Sequence, residues 1–125
     1  MTTRTNEELA IAWLDALDDV DRFAPLCAPG CQVWHSTDNA WMSFEQAIEN
    51  VHLAGGLPHM TDRSWTVTEK GFLVQFSGQF GEAKIHNTII VTTENGFATK
   101  AEEYIGLEID LAAAAGVDTT AAAAV

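Results

Sequence analysis

From His59 onward the apolar residues recur at every second position, in segments parted by breaks of about two residues. Four strands follow from this alternation: Trp65 to Glu69, Phe72 to Phe80, Ala83 to Glu94 and Phe97 to Ile109. The breaks are Lys70–Gly71, Gly81–Glu82 and Asn95–Gly96. The last is a strong hairpin signal, because both central residues of a type I′ turn need positive φ. Links this short force antiparallel neighbours, so the second half of the chain is a long-stranded meander.

The first half runs on a helical period. Thr5 followed by Glu8 fits a capping box, and Leu9, Trp13, Ala16 and Leu17 share one helix face. Asp18 or Asp19 can cap a second, shorter helix with Val20, Phe23 and Leu26 inside, ended by Pro25, Pro29 and Gly30. Cys31 to His35 reads as a short strand. Ser43 and Gln46 open a third helix striped by Phe44, Ala47, Ile48 and Val51, with Gly55 and Gly56 as its stop. The segment from Ala112 is Ala-rich and can extend as a short helix or remain a mobile end, which divides the chain into a domain over 1–111 and a tail over 112–125.

Helices followed by a curved, mainly antiparallel sheet make an α+β fold. Strands of about ten residues cannot stay flat, so the sheet should curl around the helices into a cone with a pocket at its centre.

Charge narrows what the pocket serves. Six Lys and Arg against 18 Asp and Glu give a formal net charge of −12 over 125 residues. No cluster of cations is available for phosphates, which argues against nucleic acid and against an anionic membrane surface. No apolar run approaches the roughly 18 residues of a membrane span, and the polar start lacks the apolar core of a secretory signal. A cytoplasmic protein with reduced Cys27 and Cys31 is expected. Cys27, Cys31 and His35 are evenly spaced, but Pro29 and Gly30 interrupt them and no fourth ligand follows, so no metal is expected. Nor does a phosphate loop or a dinucleotide turn occur, and no cofactor is expected.

Strict alternation in the last strand places Phe97, Thr99, Ala101, Glu103, Ile105 and Leu107 on one face. Glu103 is thus a carboxylate on an apolar, inward face, where burial raises a pKa toward the range useful in acid–base chemistry. The other reading is a bulge that turns Glu103 to solvent. His86, on the preceding strand, falls near Glu103 if position 86 pairs with about 105. It falls on the outer face beside Lys84 and Thr88 if Ile85, Ile89 and Val91 point inward. Trp34, His35 and Asp38 cluster where the early strand opens into a loop ending at Trp41, and Asp38 with Asn39 can equally make a plain turn. Trp13, Trp34, Trp41, His52, Trp65 and Phe76 are the candidate pocket walls.

The stretch AWLDALDDVDRFAPLCAPGCQVWHSTDN resembles the opening of the nuclear-transport-factor-2-like (NTF2-like, SnoaL-like) superfamily. The end, ENGFATKAEEYIGLEID, is similar to that superfamily's closing hairpin. The resemblance implies a cone of helices on a curved sheet, a small hydrophobic ligand and a homodimer through the sheet face. It also implies that Glu103 takes the acidic position of SnoaL-like polyketide cyclases, with His86 on the strand that often supplies a histidine. The chain departs from the pattern in having Glu where Asp is more usual, and Gly106 where many members carry a second Asp. No arginine follows Arg63, unlike the epoxide-hydrolase branch. Tyr104 is the only tyrosine, unlike the ketosteroid-isomerase branch. His35, His86 and Asp38 supply part of a scytalone-dehydratase-like set. The expected function is a cofactor-free acid–base enzyme on a small cyclic or polyketide-like carbonyl compound. The alternative is a non-catalytic small-molecule-binding dimer.

Overall fold

The computed structural model of the chain describes residues 3–116. Helix α1 spans Asn6–Ala16 and is closed at its start by the capping box, with Glu8 N donating to Thr5 Oγ1 at 3.1 Å and Thr5 N donating to Glu8 Oε1 at 3.0 Å. Each contact satisfies a backbone N–H that the helix itself cannot. Its buried side includes Leu9, Ala10, Trp13 and Leu14.

The second helix expected from the sequence is instead two 3₁₀ turns, Val20–Arg22 and Ala24–Leu26. Asp19 caps the first through Asp21 N, and Pro25, with no N–H to give, prevents the turns from merging into an α-helix. Strand β1 (Cys27–His35) begins earlier than expected. Pro29 and Gly30 lie inside it, where its register against its neighbour slips between Cys27 and Gln32 and Gly30 adopts φ +79°. A short strand β2 (Ala40–Ser43) folds back on β1 where a loop was expected. Helix α2 (Phe44–Leu53) follows, capped by Ser43 Oγ accepting from Gln46 N at 3.1 Å.

The alternating half forms β3 (Thr61–Thr68), β4 (Gly71–Phe80), β5 (Ala83–Glu94) and β6 (Phe97–Leu107). A one-turn helix α3 (Leu111–Ala114) comes next, capped by Asp110. The remainder of the expected tail, 117–125, lies outside the described residues. Asn95 (φ 53°) and Gly96 (φ 82°) make the predicted tight turn.

The six strands lie in the order β2-β1-β6-β5-β4-β3, and β1 runs parallel to β6 while all other neighbours are antiparallel. The architecture is an α+β cone, with helices on the inner face of a curled mixed sheet. A bulge between Thr92 and Thr93 inserts one extra residue, Thr99, into β6. Ahead of that bulge Phe97 is exposed and Ala98 is buried; beyond it Ala101 and Glu103 face inward. Trp13 is the hub of the core. Its ring lies edge-on to Phe23, Phe44 and Phe72, with centroids 5.0, 5.4 and 5.7 Å away. Such aromatic contacts add to area burial at about 0.5–1.5 kcal/mol each.

Candidate active site

Between α2 and the inner face of the sheet the core does not close, leaving a cavity of about 470 Å³. Trp13, Phe23 and Phe44 wall its helical side, and Phe76, Ile85 and Ile89 its sheet side. Phe80 and Leu107, 50% and 62% exposed, mark its mouth. A concave, mostly apolar chamber with few polar groups is the usual form of a small-molecule site.

The polar side chains on its walls are His35, Asn50, Asn87 and Glu103. Asn50 is occupied on its own helix and with β2, accepting from Gln46 Nε2 at 2.9 Å and donating to Met42 Sδ at 3.8 Å. The other three form one group. Parallel pairing sets His35 across from Glu103, so both side chains leave the sheet on the same face. His35 Nε2 lies 3.1 Å from Glu103 Oε1, and Asn87 Nδ2 donates to Glu103 Oε2 at 3.3 Å. Ser36 fastens the end of β1: its N–H donates to Glu103 O, and its Oγ accepts from Ile105 N, each at 2.9 Å.

The hydrogen bond to Glu103 raises the His35 pKa above its ordinary value. Partial burial opposes the shift, while the charges of Glu103 and Asp38 add to it. An apolar chamber thus holds an imidazole whose protonated form is favoured beside a carboxyl group, a pairing suited to moving a proton and steadying the charge it leaves behind.

The remaining sequence candidates are distributed differently. Asp38 lies in the β1–β2 turn, where its Oδ1 accepts from Ala40 N at 3.1 Å, and it reaches His35 only through its charge. His86 does not meet Glu103. The bulge at Thr99 moves its partner to Gly106, and its side chain lies on the outer face, with Nδ1 2.8 Å from Ser77 Oγ and Nε2 2.9 Å from Glu108 Oε2. Of the expected walls, Trp13 and Phe76 line the cavity. Trp34 is on the outer face, edge-on to Tyr104 at 5.0 Å, and Trp41 pairs with it across β1–β2. His52 is held at the surface by Asp21, 2.8 Å away, because the helix turns it past the stripe that ends at Val51. Trp65 sits on edge strand β3, 37% exposed, and does not reach the cavity.

Asn87 escaped the sequence reading. Its signal was present, as a polar residue between Ile85 and Ile89 on the inward alternation of β5, but an amide does not titrate and was not weighed among the acids and histidines.

Cys27 and Cys31 are free thiols in mutual contact, which raises the pKa of Cys27 through their hydrogen bond and burial. Among the described residues no three His, Cys, Asp or Glu side chains are grouped to hold a metal ion, and no helix is long and apolar enough to cross a membrane.

No protein-family model and no curated protein matches the chain. Solved structures do. An NTF2-like protein of unknown function from Burkholderia xenovorans superposes with a TM-score of 0.74 at 12% identity, covering 84% of this chain and 85% of that one. A proposed ketosteroid isomerase from Kribbella flavida gives 0.62 at 16% identity, over 86% and 82%. A proposed polyketide cyclase from Sinorhizobium meliloti gives 0.56 at 20% identity, over 76% and 92%. The chain therefore has the NTF2-like fold, as its sequence resemblance implied. That fold carries many chemistries, so function rests on the site.

Proposed function

We propose that the protein is a cofactor-free acid–base enzyme acting on a small, hydrophobic, cyclic or polyketide-like carbonyl compound. The observation that carries this reading is the 3.1 Å His35–Glu103 pair at the wall of an otherwise apolar cavity. In the proposed reaction the Glu103 carboxylate takes a proton from the carbon next to the substrate carbonyl. The C–H electron pair moves into the carbonyl, forming an enolate, and protonated His35 donates a hydrogen bond to its oxygen. Glu103 then returns the proton to another carbon, or the enolate closes on a second carbonyl. A positioned base contributes typically about 10²–10⁴-fold.

The reading is tested by proton–deuterium exchange at the α-carbon of 1-tetralone in D₂O, followed by NMR. Accelerated exchange with wild-type protein, lost in Glu103→Gln, is the expected result. Absence of acceleration across a panel of cyclic ketones and their hydroxylated counterparts would hand the site to the non-catalytic binder reading.

The ligand-binding unit in this proposal is 1–111, with 112–125 as a tail. It works as a homodimer through the outer sheet face, where Trp34, Trp41, Tyr104 and Ile90 are gathered, the last three 48%, 46% and 39% exposed. Ile89, next to Ile90 in β5, faces the other way and lines the cavity. The free thiols fit a reducing, cytoplasmic setting.

A further inference from the structure

Two buried side-chain polar atoms among the described residues have no hydrogen-bond partner, Trp13 Nε1 and Asn87 Oδ1, and both residues line the same cavity. Asn87 is the more telling. It is 5% exposed, and its Nδ2 is directed to Glu103 Oε2. With the amide N–H turned to Glu103, Oδ1 is left as an acceptor with no donor. The strands on either side cannot supply one. Asn87 stands across from Phe76 on β4 and from Ile105 on β6, and both are apolar. A buried acceptor left in this state is costly, and a site built this way discriminates strongly between ligands that do and do not satisfy it.

We infer that Asn87 makes the cavity selective for ligands whose polar end carries a hydrogen-bond donor next to Glu103, namely enols, phenols and hydroxy-carbonyl compounds rather than bare ketones. The inference rests on the cavity being the ligand site, and it holds with or without turnover there. Oδ1 is closed to solvent, so a donor reaches it through a small turn of the soft terminal torsion of the asparagine, with Nδ2 kept near Glu103. The donor-only Trp13 indole N–H, the second unpartnered group, suits a ligand oxygen elsewhere on the same molecule.

The test is calorimetric titration with 6-hydroxy-1-tetralone and its methyl ether, 6-methoxy-1-tetralone, which share the ring system and carbonyl but differ in the donor. Wild-type protein should bind the hydroxy compound about tenfold tighter or better, as expected for one satisfied buried hydrogen bond. Asn87→Leu, which keeps the branched outline of the side chain and removes the amide, should bring the two within about twofold, chiefly by weakening the hydroxy compound. Asn87→Val, a good strand former, gives the same comparison if the leucine variant does not fold. Equal affinities in wild type overturn the inference while leaving the cavity as a ligand site, as does a preference that survives in the variants. Binding of neither compound overturns the cavity reading itself, and the inference with it.

Discussion

His35 and Glu103 occupy matched positions in the parallel β1–β6 pairing, and their side chains meet at 3.1 Å on the cavity side of the sheet. Because the carboxylate is what raises the imidazole pKa, the two are linked in titration as well as in space. NMR titration of the histidine ring protons should show His35 above the ordinary value of about 6.5, and Glu103→Gln should bring it down. The sign for stability follows. The native state binds the His35 proton more tightly than the unfolded chain, so the pair stabilises fully below the ordinary imidazole value and less as pH rises through the raised native one. Wild type should therefore gain more thermal stability over Glu103→Gln at pH 6 than at pH 9, as measured by calorimetry.

The two strand histidines should separate cleanly by mutation. In the proposed reaction His35→Ala removes the donor to the developing enolate, and a loss of about 10²–10³-fold in turnover is expected, in the range found for single oxyanion donors. His86→Ala on the outer face should leave the rate of α-exchange within about twofold of wild type. An equal loss in both variants would contradict the assignment.

Arg63 is a stability residue. Its guanidinium donates to Met60 O and Leu14 O, each at 2.9 Å, and is doubly bonded to Asp18, which joins β3 to the end of α1. The same contact holds the Asp18 carboxyl below its usual pKa. Leu14 O, in the last turn of α1, also accepts from Leu17 N at 3.2 Å, so Arg63 supplies its second hydrogen bond. Arg63→Ala should lower unfolding free energy by about 2 kcal/mol, the scale of hydrogen bonds to charged groups, measured by urea denaturation. Arg63→Lys should recover less than half, since an ammonium cannot reproduce the fork.

The outer sheet face yields a prediction for assembly. Wild type should sediment at twice the chain mass at micromolar concentration. Ile90→Glu, which places a second carboxylate directly across from Glu102 and beside Leu73, should shift it to the monomer without loss of secondary structure. A monomeric wild type would exclude the sheet-face dimer.

The parts of this site that could be read from sequence are those governed by the two-residue period. Alternation put Glu103 inward, as observed, and it marked the β5–β6 turn at Asn95–Gly96. A bulge is what breaks such alternation, and the one present falls at Thr99, ahead of Glu103, so it turns Phe97 outward and leaves the carboxylate in place. The same extra residue carried His86 past Glu103 to Gly106. Local backbone chemistry was harder to judge. Pro25 reduced a helix to two 3₁₀ turns, and Pro29–Gly30 was absorbed into a slipped strand. The meeting of His35 with Glu103 is a pairing between distant strands, which no period in either segment encodes.

That distance has a consequence for how the site is assembled. The pair depends on β1, from the first third of the chain, docking along β6, and Ser36 and Ile105, which pin the junction, are 69 residues apart. Contacts of such separation form after local hairpins, because the loop entropy must be met before the contact rewards it. The β3–β6 meander can zip from its turns alone, whereas the proton-handling pair arises only when the sheet closes. A chain caught before that step would have most of its strands and no assembled site, so the raised pKa of His35 would report the last event of folding and spectroscopic strand content an earlier one.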